Sequence, residues 1–131
     1  MPLIYLTKEE LLDIHKTALL AGGIAGILNE GMLELAVEAP GTIVFGTELH
    51  NSLQEKAATV MHEIIKLHPF NDGNKRTAFI ATDTFLRVNG YELRVPQQSA
   101  VDVALKTAEC SMDIPKIADW MRPGLRRRIA E

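Results

Sequence analysis

The chain has 131 residues, of which 47% are hydrophobic and 24% charged, the balance of one compact domain with its own core over residues 1–131. No uncharged apolar run reaches the length of a membrane span, and the opening "MPLIYLTKEELL" meets acidic residues too early for a secretory leader, so the expected setting is cytoplasmic with no membrane contact. A net charge of −3 gives no global signature of nucleic-acid binding, and the single Cys110 excludes an intramolecular disulfide and a cysteine-based metal finger.

Along the chain the pattern is helical nearly throughout. In "TKEELLDIHKTALL" Thr7 and Glu10 have capping-box spacing and Leu11, Ile14, Ala18 and Leu19 share a face, predicting a first helix that "AGG" at residues 21–23 stops. A shorter helix is expected over Met32 to Glu38, because Pro40 forbids helical continuation. The segment "GTIVFG" that follows is short, β-branched and glycine-bounded, and reads as a small extended flap or hairpin. The most regular helix spans about Ser52 to Leu67, with Leu53, Ala57, Val60, Ile64 and Leu67 on one stripe, and is expected at the centre. Pro69 ends it, residues 70–73 turn the chain, and a helix starts near Asn74 with Ala78, Ala81, Thr82, Phe85 and Leu86 inward, until "NGY" at residues 89–91 stops it. Two more helices are expected, one from Ser99 to about Met112, the other entered at Asp113 with Pro115 in its first turn and broken at Pro123 and Gly124. The closing "GLRRRIAE" reads as a solvated helix end with cations at the negative dipole pole, or as a weak patch for an acidic partner.

One loop concentrates chemistry. "HPFNDGNKRTA", His68 to Ala78, joins the end of the central helix to the start of the next. The first N–H groups of a helix lack intrahelical acceptors and, with the helix dipole, attract phosphate. Gly73 permits a close backbone approach, and Lys75 and Arg76 add two positive charges at a pole where cations are otherwise unfavourable. That excess predicts an anionic ligand; the plainer alternative is two side chains pointing into solvent. Asp72 is a hard oxygen ligand, and magnesium on a phosphate needs only one or two carboxylates. Asn74 could donate to a phosphate oxygen or act as a helix N-cap. His68 could accept a hydroxyl proton beside the phosphate or be a structural helix end.

Competing motifs fail. In "MHEIIKLH" the position four after His62 is Lys66, so no zinc-protease pair forms; "AGGIAG" follows a helix and lacks dinucleotide spacing; no GxxxxGK[ST] occurs. His15 and His50 have no ligand-spaced companion and read as surface or packed residues.

"HPFNDGNKR" resembles the signature HxFx[DE][AG]NKR of the Doc branch of Fic proteins, the death-on-curing toxins. "LTKEELLDIHKTALLAGGIAGILNEGMLELAVEAP" is similar to that family's N-terminal region and "TAFIATDTFLRVNGYEL" to its post-motif helix, so the resemblance covers most of the chain, most specifically at the motif. It implies an all-α, Fic-type bundle of about six helices with a small extended flap near residues 41–47. By the same resemblance His68 is the general base, Phe70 the core anchor and Asp72 the magnesium residue. Gly73 lines the anion hole, Asn74, Lys75 and Arg76 hold the nucleotide phosphates, and the flap over Thr42 to Gly46 aligns the target segment. Fic adenylyltransferases have a glycine at the position of Lys75, whose side chain would fill the place of a second phosphate group. The implied reaction is transfer of the γ-phosphate of ATP to a hydroxyl of a translation factor, elongation factor Tu in that family, which blocks translation. Gly73, alanine in some Doc proteins, leans back toward the Fic pattern. The alternatives are therefore protein nucleotidyl transfer (AMPylation) and a non-catalytic nucleotide- or antitoxin-binding module. The inhibitory Fic pattern [ST]xxxE[GN] would need its Ser or Thr where Gly26 precedes Glu30-Gly31, which fits a toxin restrained in trans by a Phd-like antitoxin.

Overall fold

The computed structural model of the protein describes residues 2–128. Helix α1, Lys8–Ala18, starts in a complete capping box: the Thr7 hydroxyl accepts from the Glu10 N–H while the Glu10 carboxylate accepts from the Thr7 N–H. Its buried face carries Leu11, Ile14, His15 and Ala18, and a 3₁₀ turn over Leu19–Ala21 leads to Gly22. Helix α2, Glu30–Glu38, begins two residues before the expected Met32, because the Asn29 side chain accepts from the Met32 N–H and caps the helix there. Pro40 stands in the 3₁₀ turn that follows.

The flap is an antiparallel hairpin of β1, Ile43–Val44, and β2, Thr47–Glu48. Phe45 and Gly46 form its two-residue tip, both with positive φ (49° and 78°), as a type I′ turn demands. The central helix α3, Leu53–Leu67, is capped by Ser52 and packs against α2 and against α4, Asn74–Val88. It also meets α5, Gln97–Ala108, and α6, Ile114–Met121. With neighbours on so many sides it is not buried on a single stripe as expected; every residue from Lys56 to Met61 is enclosed. Leu11, Leu33, Met61, Phe85, Val103 and Ile117, one from each helix, belong to a single buried cluster. Full burial of a side chain such as Phe85 contributes about 1.5–3 kcal/mol. Among the described residues no helix is long and apolar enough to cross a membrane.

Three further expectations need correction. Helix α5 starts at Gln97 after Pro96, and the expected cap Ser99 instead accepts a hydrogen bond from the Trp120 indole N–H at 2.8 Å. It ends at Ala108 instead of Met112, where Cys110 turns left-handed at φ 65°. The arginine run is not a helix end: β4, Leu125–Arg127, pairs antiparallel with β3, Tyr91–Leu93, in the register Tyr91↔Arg127 and Leu93↔Leu125. The turn Arg122–Gly124 stops α6 and lays the chain against the open edge that follows Gly90; residues 129–131 of that run lie outside the described part. Gly124 is required by proximity, since a Cβ there would sit 2.3 Å from the Arg94 carbonyl oxygen.

Candidate phosphate-handling site

Helix α3 ends at His68, whose backbone is left-handed (φ 50°, ψ 56°) and whose side chain is exposed. Pro69 and Phe70 then dive inward, with Phe70 completely buried. Its main chain is clamped by one side chain, because Asn74 Oδ1 accepts from the Phe70 N–H at 3.1 Å and Asn74 Nδ2 donates to the Phe70 carbonyl at 2.9 Å. This loop clamp makes Asn74 the first helical residue, and the cap position goes to Gly73 at φ 76°. A Cβ on Gly73 would meet Leu19 only at 3.4 Å, so the backbone angle selects glycine here more than lack of space does.

Asp72 is fixed from both carboxylate oxygens. Oδ1 accepts from the Gly73 N–H at 2.8 Å and Oδ2 from the Ile24 N–H at 3.2 Å. These two main-chain donors, the Ile24 one foremost, with the charges of Arg76 and His15 nearby, hold its pKa below the ordinary aspartate value. Lys75 and Arg76 are exposed in the first turn of α4. Arg76 Nη1 donates to the carbonyl oxygens of Ala18 and Gly22, so part of the guanidinium closes the C-terminus of α1. His68, Asp72, Gly73, Asn74, Lys75 and Arg76 together line one open cleft of about 200 Å³. Lys75 and Arg76 also border a groove of about 500 Å³ walled by apolar residues of α4 and α5, among them Phe79, Val101 and Leu105.

A family model described as the Fic/DOC family matches residues 5–86. The chain belongs to the Fic/Doc family. It is 33% identical over 113 residues to Toxin Doc of Mycolicibacterium smegmatis (strain ATCC 700084 / mc(2)155), covering 83% of this chain and 85% of that one. It is 31% identical over 120 residues to Protein kinase doc of Escherichia phage P1, covering 90% of this chain and 93% of the relative. These likenesses put it on the Doc branch.

In this Fic/Doc chain the motif loop is stitched to a distant segment between α1 and α2. The Leu28 and Asn29 N–H groups donate to the Pro69 carbonyl at 2.8 and 3.2 Å, the Asn71 N–H donates to the Gly26 carbonyl at 3.0 Å, and Ile27 forms a β-bridge with Phe70. His15, read from sequence as a surface or packed residue, belongs to the same construction: it is buried and its ring stacks on Phe70. The signal that finds it is the spacing Leu11, Ile14, His15, Ala18, which puts the ring on the inward face of α1. His62 pairs with its neighbour Glu63 and His50 with Glu55, and neither lines the cleft. Glu30 pairs with Lys8. Among the described residues no three of His, Cys, Asp or Glu converge as a metal cage. One outward carboxylate beside a helix N-terminus suits a magnesium ion that arrives on a phosphate and keeps its waters.

Proposed function

We propose that the protein is a Doc-like toxin whose whole chain, residues 1–131, works as one domain in the cytoplasm. It acts as a protein kinase, moving the γ-phosphate of ATP to a hydroxyl of a translation factor of the elongation factor Tu kind and so blocking translation. The observation that carries this reading is the convergence of His68, Asp72, Gly73, Asn74, Lys75 and Arg76 on one cleft at the N-terminus of α4, in a chain of the Doc branch. The relative named a protein kinase supports the same reaction class.

In this reading the main-chain N–H groups of the first turn of α4 bind the phosphate, with the charges of Lys75 and Arg76 beside them. Asn74 contributes its main chain, since its side-chain amide is engaged by Phe70. Lys75 fills the position of a second phosphate group, which favours the terminal phosphate as the one transferred. His68 stands exposed at the rim, where a hydroxyl on another protein can reach it, and takes the proton as that hydroxyl attacks. Asp72 would hold Mg²⁺, which when bound neutralises charge on the phosphate oxygens. The flap offers the target segment an open strand edge of main-chain groups. A Phd-like antitoxin tail lying in the groove between α4 and α5 would cover Lys75 and Arg76 together.

Incubation with elongation factor Tu and either γ-labelled or α-labelled ATP tests the reaction. Label from the γ position is expected on the factor. Label from the α position alone overturns the kinase reading in favour of nucleotidyl transfer, and ATP binding without transfer to any protein of a cell lysate favours the non-catalytic module. His68→Ala is expected to lower transfer by about 10² to 10⁴-fold.

A further inference from the structure

The His15 ring lies 3.8 Å from the Phe70 ring, centroid to centroid, at an interplanar angle of 7°, and its Nε2 is 2.9 Å from the Asp72 main-chain oxygen. A carbonyl can only accept, so Nε2 carries the proton and donates it. We propose that His15 is a positioning residue for the phosphate site, fixing the Asp72 peptide through this bond while its ring pins Phe70; the proposal rests on the reading of Asp72 as the magnesium residue.

The loop has few other means of fixing that peptide. Pro69 and Asn71 are tied to residues 26–29 by main-chain bonds. The carboxylate of Asp72 is tied to Ile24 and Gly73, but rotation of the peptide plane between Asp72 and Gly73 would move the Gly73 N–H away from Oδ1 and re-aim the carboxylate. The His15 bond holds the opposite end of that same plane. Plain core packing on Phe70 needs no nitrogen, and a phenylalanine or leucine at position 15 would supply it. What only the imidazole adds, at this place on α1, is a flat ring and a donor together. Donors that orient a metal-binding group from behind are typically worth about 10- to 100-fold in metal affinity or activity.

Two full-length variants separate the parts. His15→Phe keeps the ring over Phe70 and removes the donor; His15→Gln keeps a donor and removes the ring. Two measurements are made on each. The first is the Mg²⁺ dependence of γ-phosphate transfer to elongation factor Tu. The second, without nucleotide, is amide exchange at Ile24 and Gly73 compared with amides of α3. For His15→Phe the half-saturating Mg²⁺ is expected to rise by about tenfold or more, with faster exchange at Ile24 and Gly73 and unchanged exchange in α3. His15→Gln is expected to recover part of both. Wild-type Mg²⁺ dependence together with wild-type loop exchange in His15→Phe overturns the proposal, and so does protection lost uniformly through α3 and α4, which marks a merely structural histidine. If the wild-type protein transfers no γ-phosphate, the kinase reading falls, while exchange at Ile24 and Gly73 still decides for or against His15.

Discussion

Asp72 keeps its charge where two main-chain N–H groups already point at it, and this fixes the sign of its pH response. A carboxyl whose folded-state pKa is depressed contributes fully above its unfolded value and loses that contribution as pH falls through the folded value. A carbon-13 titration of the Asp72 carboxyl is therefore expected to give a midpoint below the ordinary 3.8, with the Ile24 and Gly73 amides losing protection over the same acidic range. A midpoint at or above the ordinary value would show that the two bonds do not persist in solution. Asn74 answers a different question. It is buried and holds both main-chain groups of Phe70, so Asn74→Ala leaves a donor and an acceptor without partners, each costing about 1–3 kcal/mol. Urea unfolding is expected to show that loss even without nucleotide, as a residue that only touched phosphate would not. At His68 the backbone itself constrains the choice of variant. Its φ of 50° suits asparagine better than alanine. His68→Asn is thus expected to silence transfer with a melting temperature closer to wild type than that of His68→Ala.

The flap depends on a cation that lies outside the motif. Lys56 of α3 is 1% exposed, and its ammonium donates to the Pro40 carbonyl at 3.0 Å and to Glu48 Oε1 at 3.2 Å, one partner on each side of the hairpin, with the Tyr5 ring 5.5 Å away. One side chain on the central helix thereby holds both feet of the flap. Lys56→Met keeps the stem and removes the charge; exchange is expected to quicken at Leu49, whose N–H donates to the Thr42 carbonyl across the base of the flap, and at Thr42, whose N–H donates to the Ala39 carbonyl in the turn before it, with α3 unchanged. Equal exchange in both proteins would mean the strands hold themselves. Such elements were legible in unequal measure. Thr7 with Glu10, Ser52 and Asp113 announce their helices because a cap acts within a few residues. The cleft was legible too, since its six residues lie in one run from His68 to Arg76. The packing of His15 was within reach of its spacing on α1, but its bond to Asp72 was not, because that partner is 57 residues away and no local pattern encodes the distance. Lys56 was hidden for the same reason, and because a lysine is ordinarily read as surface.

Across the whole molecule, β4 returns the end of the described chain to the end of α4. The Arg94 N–H donates to the Gly124 carbonyl and the Arg128 N–H to the Gly90 carbonyl, both at 2.8 Å. An arginine run offers no strand pattern; the pairing sets Leu125 opposite the buried Leu93, against the core, and the missing side chain of Gly124 lets the backbones approach. Gly124→Ala forces the backbone apart there and is expected to cost about 1–3 kcal/mol, as overpacking does. A melting temperature unchanged from wild type would show that this seam is slack. The stitching of the motif loop to residues 22–29 has a consequence for anyone who would transplant it. The eleven letters from His68 to Ala78 are a fragment: the N–H that steadies Asp72 comes from Ile24, the ring behind Phe70 from His15, and the carbonyls that hold Arg76 from Ala18 and Gly22. Grafted onto another helical hairpin, the motif would carry its alphabet without its grammar. The smallest heritable unit of this site is the motif together with α1 and the loop behind it.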